Sequence, residues 1–160
     1  MSKGPHSKFR RAARTAAVQA LYQLDMSEDL SGTVIKQFVE HRFDVEDSAP
    51  SVDAEFFEDV VEGVIKFQDD IDDAISQTLS EKWSLKRLDL TLRAILRAGA
   101  YEIQRRPDIP ALVIIDQYVS ISADFFEGKE RGFVNGALDK IAKGVRKAEF
   151  GIIAPSIGHE

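Results

Sequence analysis

Three arginines, Arg10, Arg11 and Arg14, fall within five residues near the start of this chain, preceded by Lys3 and Lys8. On a helix of about 100° per residue, Arg11, Thr15, Val18 and Tyr22 line up at i, i+4, i+7 and i+11, with Arg10 and Arg14 beside them. Guanidinium groups fork onto phosphates, while amide and aromatic neighbours such as Gln19 and Tyr22 address unpaired bases, so the pattern suits RNA. The competing reading is a solvated basic arm with no partner. One physical point favours a ligand: cations at a helix N-terminus oppose the macrodipole, and a bound anion would offset that conflict.

A second cluster is Phe133-Val134-Asn135-Gly136, beside Lys129 and Arg131. Asn135 either satisfies backbone groups at a helix end, or the loop's cations and Phe133 extend a nucleic-acid surface. Both readings stand on residue types alone. The only tryptophan, Trp83, is expected to make a core or staple contact.

Catalytic constellations are poor. His6, His41 and His159 have no histidine at i+3 or i+4 to form a metal pair, and there is no cysteine for a thiolate site, a disulfide or a nucleophile. No Gly-x-Ser-x-Gly turn, phosphate loop or dinucleotide fingerprint occurs. Asp72 and Asp73 lack an apolar pocket to shift a pKa, and Asp69, Asp70, Asp72 and Asp73 lack the glycine and ligand spacing of a calcium loop. The expectation is a protein without enzymatic activity, metal or cofactor.

The elements that must position these residues follow from periodicity. With 160 residues, 44% of them apolar, the chain is expected to fold as one domain over 1–150 with a flexible tail at 151–160. Apolar residues at three- and four-residue spacing predict helices over 7–25, more weakly 27–43, then 53–66 capped by Asp53, and 68–79 after a break near Phe67. The loop between the second and third helices is expected at 44–51. The strongest helix is predicted over 85–105, where Leu88, Leu92, Ile95, Leu96, Gly99 and Ile103 form a stripe and Pro107 ends it. A central apolar helix is predicted over 111–126, with Leu112 and Val113 among its apolar residues, and a last one over 133–147 with Phe133, Val134, Leu138, Ile141 and Val145 inward. No alternation supports a strand, so the expected fold is all-α, a bundle of about seven helices.

Charge is distributed unevenly. The 21 Lys+Arg and 27 Asp+Glu give −6 overall, yet the first fourteen residues carry +5 and the rest −11. From Glu40 to Asp73 there are thirteen acids against Arg42 and Lys66, a run expected to form a solvated helical face. Lys86, Arg87, Arg93, Arg97, Arg105 and Arg106 suggest a second basic region in the later helices. No segment has the length or apolarity of a membrane span or a secretory leader, so a cytoplasmic protein is expected.

In chain order, Arg10-Arg11-Ala12-Ala13-Arg14 leading to Val18-Gln19-Ala20-Leu21-Tyr22, then Trp83, Arg87-Leu88, Ile95-Leu96-Arg97-Ala98, Tyr101-Glu102, Ile109-Pro110, Val113 and Phe133-Val134-Asn135-Gly136 with Leu138-Asp139 resemble the NusB family of bacterial transcription antitermination factors. The resemblance spans about 8–147. It implies two packed helical subdomains, about 5–80 and 83–148, and a non-enzymatic adaptor. It further implies that the adaptor pairs with NusE, a small-subunit ribosomal protein, to hold single-stranded boxA RNA of nascent ribosomal transcripts in an antitermination complex on RNA polymerase with other Nus factors. Carried over by position, Lys8, Arg10, Arg11 and Arg14 would contact phosphates and Gln19 and Tyr22 would adjoin them. Phe125, Lys129, Arg131, Phe133 and Asn135 would form a second RNA-facing region.

The chain departs from the family pattern at Asp116-Gln117-Tyr118, which follow Ile115, and at Leu92, where relatives often carry an acid expected to meet the ribosomal protein. Lys129 adds positive charge where some relatives have an acid. The alternative function is a helical protein–protein adaptor with no direct RNA contact. An RNA cytosine methyltransferase, which carries a similar helical domain, would need a catalytic domain and a cysteine that this sequence lacks. Oligomeric state, including a homodimer, is left open.

Overall fold

A computed structural model of the protein describes residues 5–27, 29–40, 52–80 and 84–152. Seven α-helices occur among them: α1 Pro5–Met26, α2 Ser31–Phe38, α3 Ala54–Lys66, α4 Gln68–Ser76, α5 Leu90–Arg105, α6 Ala111–Phe125 and α7 Glu130–Val145. There is no strand among the described residues, and the fold is all-α. The expected loop at 44–51, Trp83, His41, His159 and the residues from 153 onward lie outside the described residues, as does the side chain of His6.

The first helix works through small residues. Ala13, Ala16, Ala17 and Ala20 are buried and let α1 pack closely on α3 and α5, while its outer edge reaches α2 and α6. Val18, placed by spacing on the same stripe as Arg11 and Tyr22, is also buried, so that stripe is interrupted by core. Asp53 caps α3 by accepting from the Phe56 N–H at 3.0 Å, and its own N–H donates to the Phe9 carbonyl at 3.1 Å, tying the start of α3 to α1. Phe56, Phe57, Val60, Val61 and Val64 fill the core from α3, and the break at Phe67 turns the chain into α4, which buries Ile71 and Ile75.

Several boundaries differ from the periodicity: α4 ends at Ser76 rather than 79, and α7 begins at Glu130 rather than 133. The second helix begins only at Ser31, after Leu30 adopts an extended conformation. The stretch from Leu85 is not one helix: Leu85–Arg87 is a 3₁₀ turn, Leu88 is extended and buried, and α5 starts at Leu90. The reason is Asp89, whose carboxylate accepts from the Thr91 and Leu92 N–H groups at 2.8 and 3.2 Å and so fixes the helix start.

The far end of α5 is closed by a side chain distant in sequence. Arg146, 8% exposed, donates to the carbonyls of Glu102, Ile103, Arg106 and Ile109; Ile103 is the one whose i+4 donor Pro107 removes, while Glu102 and Arg106 also accept from the Arg106 and Ile109 N–H groups. Glu149 in turn pairs with Arg146 and accepts from the Ala111 N–H at 2.9 Å, capping α6. The helix α6 packs against both α5 and α7, which also touch each other, and buries Ile114, Ile115, Tyr118 and Ile121. Val145, expected inward, is the last residue of α7 and is half exposed beside Ala74 and Gln77, while Leu112 and Val113 in the first turn of α6 are exposed.

The acidic run is not simply a solvated face. Arg97 bridges Asp72 and Asp25, Arg93 pairs with Asp25, Arg105 with Asp70, and Arg106 with Asp59 and Asp108. The basic side of α5 is thus directed at acids of α1, α3 and α4, and the second basic region expected from the sequence is largely consumed inside the fold.

Candidate nucleic-acid interface

The N-terminal turns of α1 hold Lys8 exposed and Arg10 and Arg11 half-buried. Arg10 rests its guanidinium 4.5 Å from the centre of the Phe56 ring, with Nε 4.0 Å from an Asp53 carboxylate oxygen. Arg11 reaches across to α6, donating from Nη2 to Ser120 Oγ at 3.0 Å and to Asp124 Oδ2 at 3.3 Å. Both partners lie on one face of α6, four residues apart, in the turns that lead to Phe125.

Arg14 requires a correction. Its side chain is buried, and it forks onto Glu102, Nε to Oε2 at 2.8 Å and Nη2 to Oε1 at 2.9 Å. The Tyr118 hydroxyl donates to the same carboxylate, completing a triad between α1, α5 and α6. Burial pushes the Tyr118 phenol well up, with the Glu102 charge adding to the shift. Burial works against the Arg14 charge, but the Glu102 hydrogen bonds and charge outweigh it and raise the guanidinium further. A guanidinium saturated in this way inside the core is not placed to take a phosphate. A sequence signal existed: Glu102 falls on the apolar stripe of α5 with Ile95 and Gly99, and a carboxylate there demands a buried cation. Tyr118, one of the departures from the family pattern, supplies the third member.

The other expected residues divide into two grooves. Gln19 and Tyr22 of α1 and Phe125 at the end of α6 line one of about 440 Å³, together with Gln23, Met26 and Thr91. Tyr22 and Phe125 are about 40% exposed there, enough to present a ring face. Lys129 and Phe133 line a second of about 270 Å³ with Glu130 and the buried Leu88 and Leu92, which form its floor. Phe133 is half-buried and leans on the core, whereas Arg131 and Asn135 are exposed. Since α7 begins at Glu130, Asn135 sits in the second turn and makes no helix-end cap. Among the described residues, no group of three His, Asp or Glu side chains could hold a metal ion, and no helix is long and apolar enough to cross a membrane.

A family model described as the NusB family matches residues 11–143. The chain belongs to the NusB family. A curated relative, the transcription antitermination protein NusB of Maricaulis maris (strain MCS10), is 47% identical over 147 residues, which cover 90% of this chain and 92% of the relative. Among solved structures, T. maritima NusB superposes with a TM-score of 0.75 at 30% identity, covering 94% of this chain and 99% of that one. A structure of antitermination factors NusB and NusE in complex with dsRNA superposes with a TM-score of 0.73 at 25% identity, covering 85% and 97%. The NusB family consists of transcription antitermination factors, not enzymes.

Proposed function

We propose that this protein is a transcription antitermination factor of the cytoplasm that binds single-stranded boxA RNA of nascent ribosomal transcripts together with NusE, within an antitermination complex on RNA polymerase. The observation that carries this reading is the basic turn of α1, with Lys8 exposed and Arg10 and Arg11 half-buried, standing beside the end of α6. Phosphates meet the cations, and the exposed rings of Tyr22 and Phe125, with Phe133 in the neighbouring groove, supply stacking faces that only unpaired bases reach. Gln19, Lys129, Arg131 and Asn135 extend the surface, and Arg14 supports it from the core. The family relationship supports the antitermination role, and the solved complex of NusB and NusE with dsRNA supports a surface shared by NusE and RNA.

Titration of a labelled boxA-type RNA, alone and with NusE, at several salt concentrations tests it. Binding is expected to tighten with NusE, and log K to fall with log salt as phosphate contacts release counterions. Salt-insensitive affinity, or unchanged affinity after Arg10→Ala/Arg11→Ala in a protein that remains helical, would remove the arm from the RNA site.

A second reading, a protein–protein adaptor without RNA contact, is favoured by the apolar character of the larger groove, where Met26 is 61% exposed. It predicts NusE binding with no RNA binding by the pair.

A further inference from the structure

Arg11 is the cation of the basic turn whose neighbours are unusual. It is docked on the last turns of α6, where the helix carries no basic residue of its own. Asp124, one residue from the end of α6 and 63% exposed at its side chain, places a negative charge where the macrodipole is already negative. That position is unfavourable for α6 by itself, and Asp124 has Arg11 as its compensating partner. Ser120 meets the same nitrogen at 3.0 Å and would hold the arginine against α6 without adding charge.

We propose that Asp124 is an affinity-setting residue of the RNA surface: it occupies Arg11 in the unbound protein and competes with an RNA phosphate for the same guanidinium. The proposal rests on the function given above. A phosphate approaching Arg11 must share the guanidinium with Asp124 or displace it, and meets like-charge repulsion at the 3.3 Å contact in either case. Ser120 is the complementary element, since a hydroxyl orients the arginine and does not repel the ligand. The pairing also discriminates: a weakly placed anion does not displace the carboxylate, whereas an RNA anchored elsewhere on the surface does.

The test measures binding of a fluorescein-labelled single-stranded boxA-type RNA to the full chain with NusE present, for the parent, Asp124→Asn, Arg11→Ala and the double variant. Asp124→Asn is expected to tighten binding by about two- to fivefold, the range spanned by exposed charge pairs, and the gain is expected to vanish in the Arg11→Ala background. Ser120→Ala is expected to weaken binding slightly, because Arg11 loses its neutral support. Asp124 is exposed, so circular dichroism and melting should be close to the parent's. Unchanged or weaker binding by Asp124→Asn, or an equal gain without Arg11, overturns the proposal. Equal binding by the parent and Arg11→Ala sinks the RNA reading of the arm as well, whereas a loss in Arg11→Ala with no gain in Asp124→Asn sinks only the role of Asp124.

Discussion

Arg14→Ala separates a core arginine from a ligand-binding one. The substitution deletes two charge-assisted hydrogen bonds, at 2.8 and 2.9 Å, and leaves the fully buried Glu102 carboxylate with the Tyr118 hydroxyl alone. Removing one partner of a buried pair costs about 3–5 kcal/mol, most of it the burden of the stranded charge. At about 2–4 °C per kcal/mol for a chain of this size, the melting temperature should fall by about 6–20 °C. Against a typical stability of about 5–15 kcal/mol the protein still folds in the cold, where RNA affinity is measured.

Replacing the whole triad, as Arg14→Met/Glu102→Leu/Tyr118→Phe, removes the charges together with their desolvation cost and should recover most of the lost stability. Urea unfolding followed at 222 nm reads both variants. In folded protein at low temperature, the triple variant should bind boxA-type RNA with NusE nearly as the parent does, while Arg11→Ala should not. The reasoning is refuted if Arg14→Ala melts within a degree or two of the parent and weakens RNA binding as much as Arg11→Ala, for then Arg14 reaches the phosphates.

Three further outcomes are expected. A Cβ on Gly63 would overlap the Tyr101 ring, which is itself buried between α3 and α5, so Gly63→Ala should cost about 1–3 kcal/mol by overpacking in urea unfolding. Gly136 on α7 meets nothing within 4 Å, so Gly136→Ala should instead stabilise by about 0.5–1 kcal/mol in the same assay. Alkaline pH should destabilise the fold: burial and the Asp59 hydrogen bond push the Tyr101 phenol up to about 12, and Tyr118 is raised too, so between about pH 10 and 12 the folded state holds protons the unfolded chain has lost. Stability present below pH 10 is therefore lost as pH rises through that window, and Tyr101→Phe should flatten the fall of melting temperature with pH.

The helices were legible because apolar spacing reports which face is buried, as in the Phe56, Phe57, Val60, Val61 and Val64 set of α3. What spacing does not report is where packing stops. Leu112 and Val113 match the apolar period of α6 and are exposed, and Leu88 matches that of α5 and lies outside the helix, because the Asp89 cap is a local hydrogen-bond choice rather than a hydropathy signal. The candidate site shows the same division. Arginine count and helical phase located the basic turn, but they could not distinguish Arg11, which reaches a solvent-facing carboxylate, from Arg14, three residues later, which reaches a buried one. That distinction depends on Glu102 and Asp124, more than eighty residues away in sequence and brought close only by packing.

The same long-range pairing changes what the net charge means. Acids at Asp25, Asp59, Asp70 and Asp72 are neutralised at short range by arginines of the α5 region, and such pairs project little field beyond about one Debye length, roughly 8–10 Å in physiological salt. Of the cations on the proposed RNA surface, Lys8, Lys129 and Arg131 make no ion pair among the described residues, while Arg10 and Arg11 carry a long or solvent-facing pair that a phosphate would have to share. Arg105 decides between this view and a basic surface on α5. Its side chain is 40% exposed, over the Phe67 ring at 3.8 Å and paired with Asp70. If α5 presents no RNA surface, Arg105→Gln should leave RNA affinity and its salt dependence unchanged. If Arg105 neutralises a phosphate, the slope of log K against log salt should shrink in magnitude by about 0.7, the single-strand increment per contact. The two outcomes are well separated by titrations at four salt concentrations, and the second would restore to α5 the RNA-facing role that its ion pairs argue against.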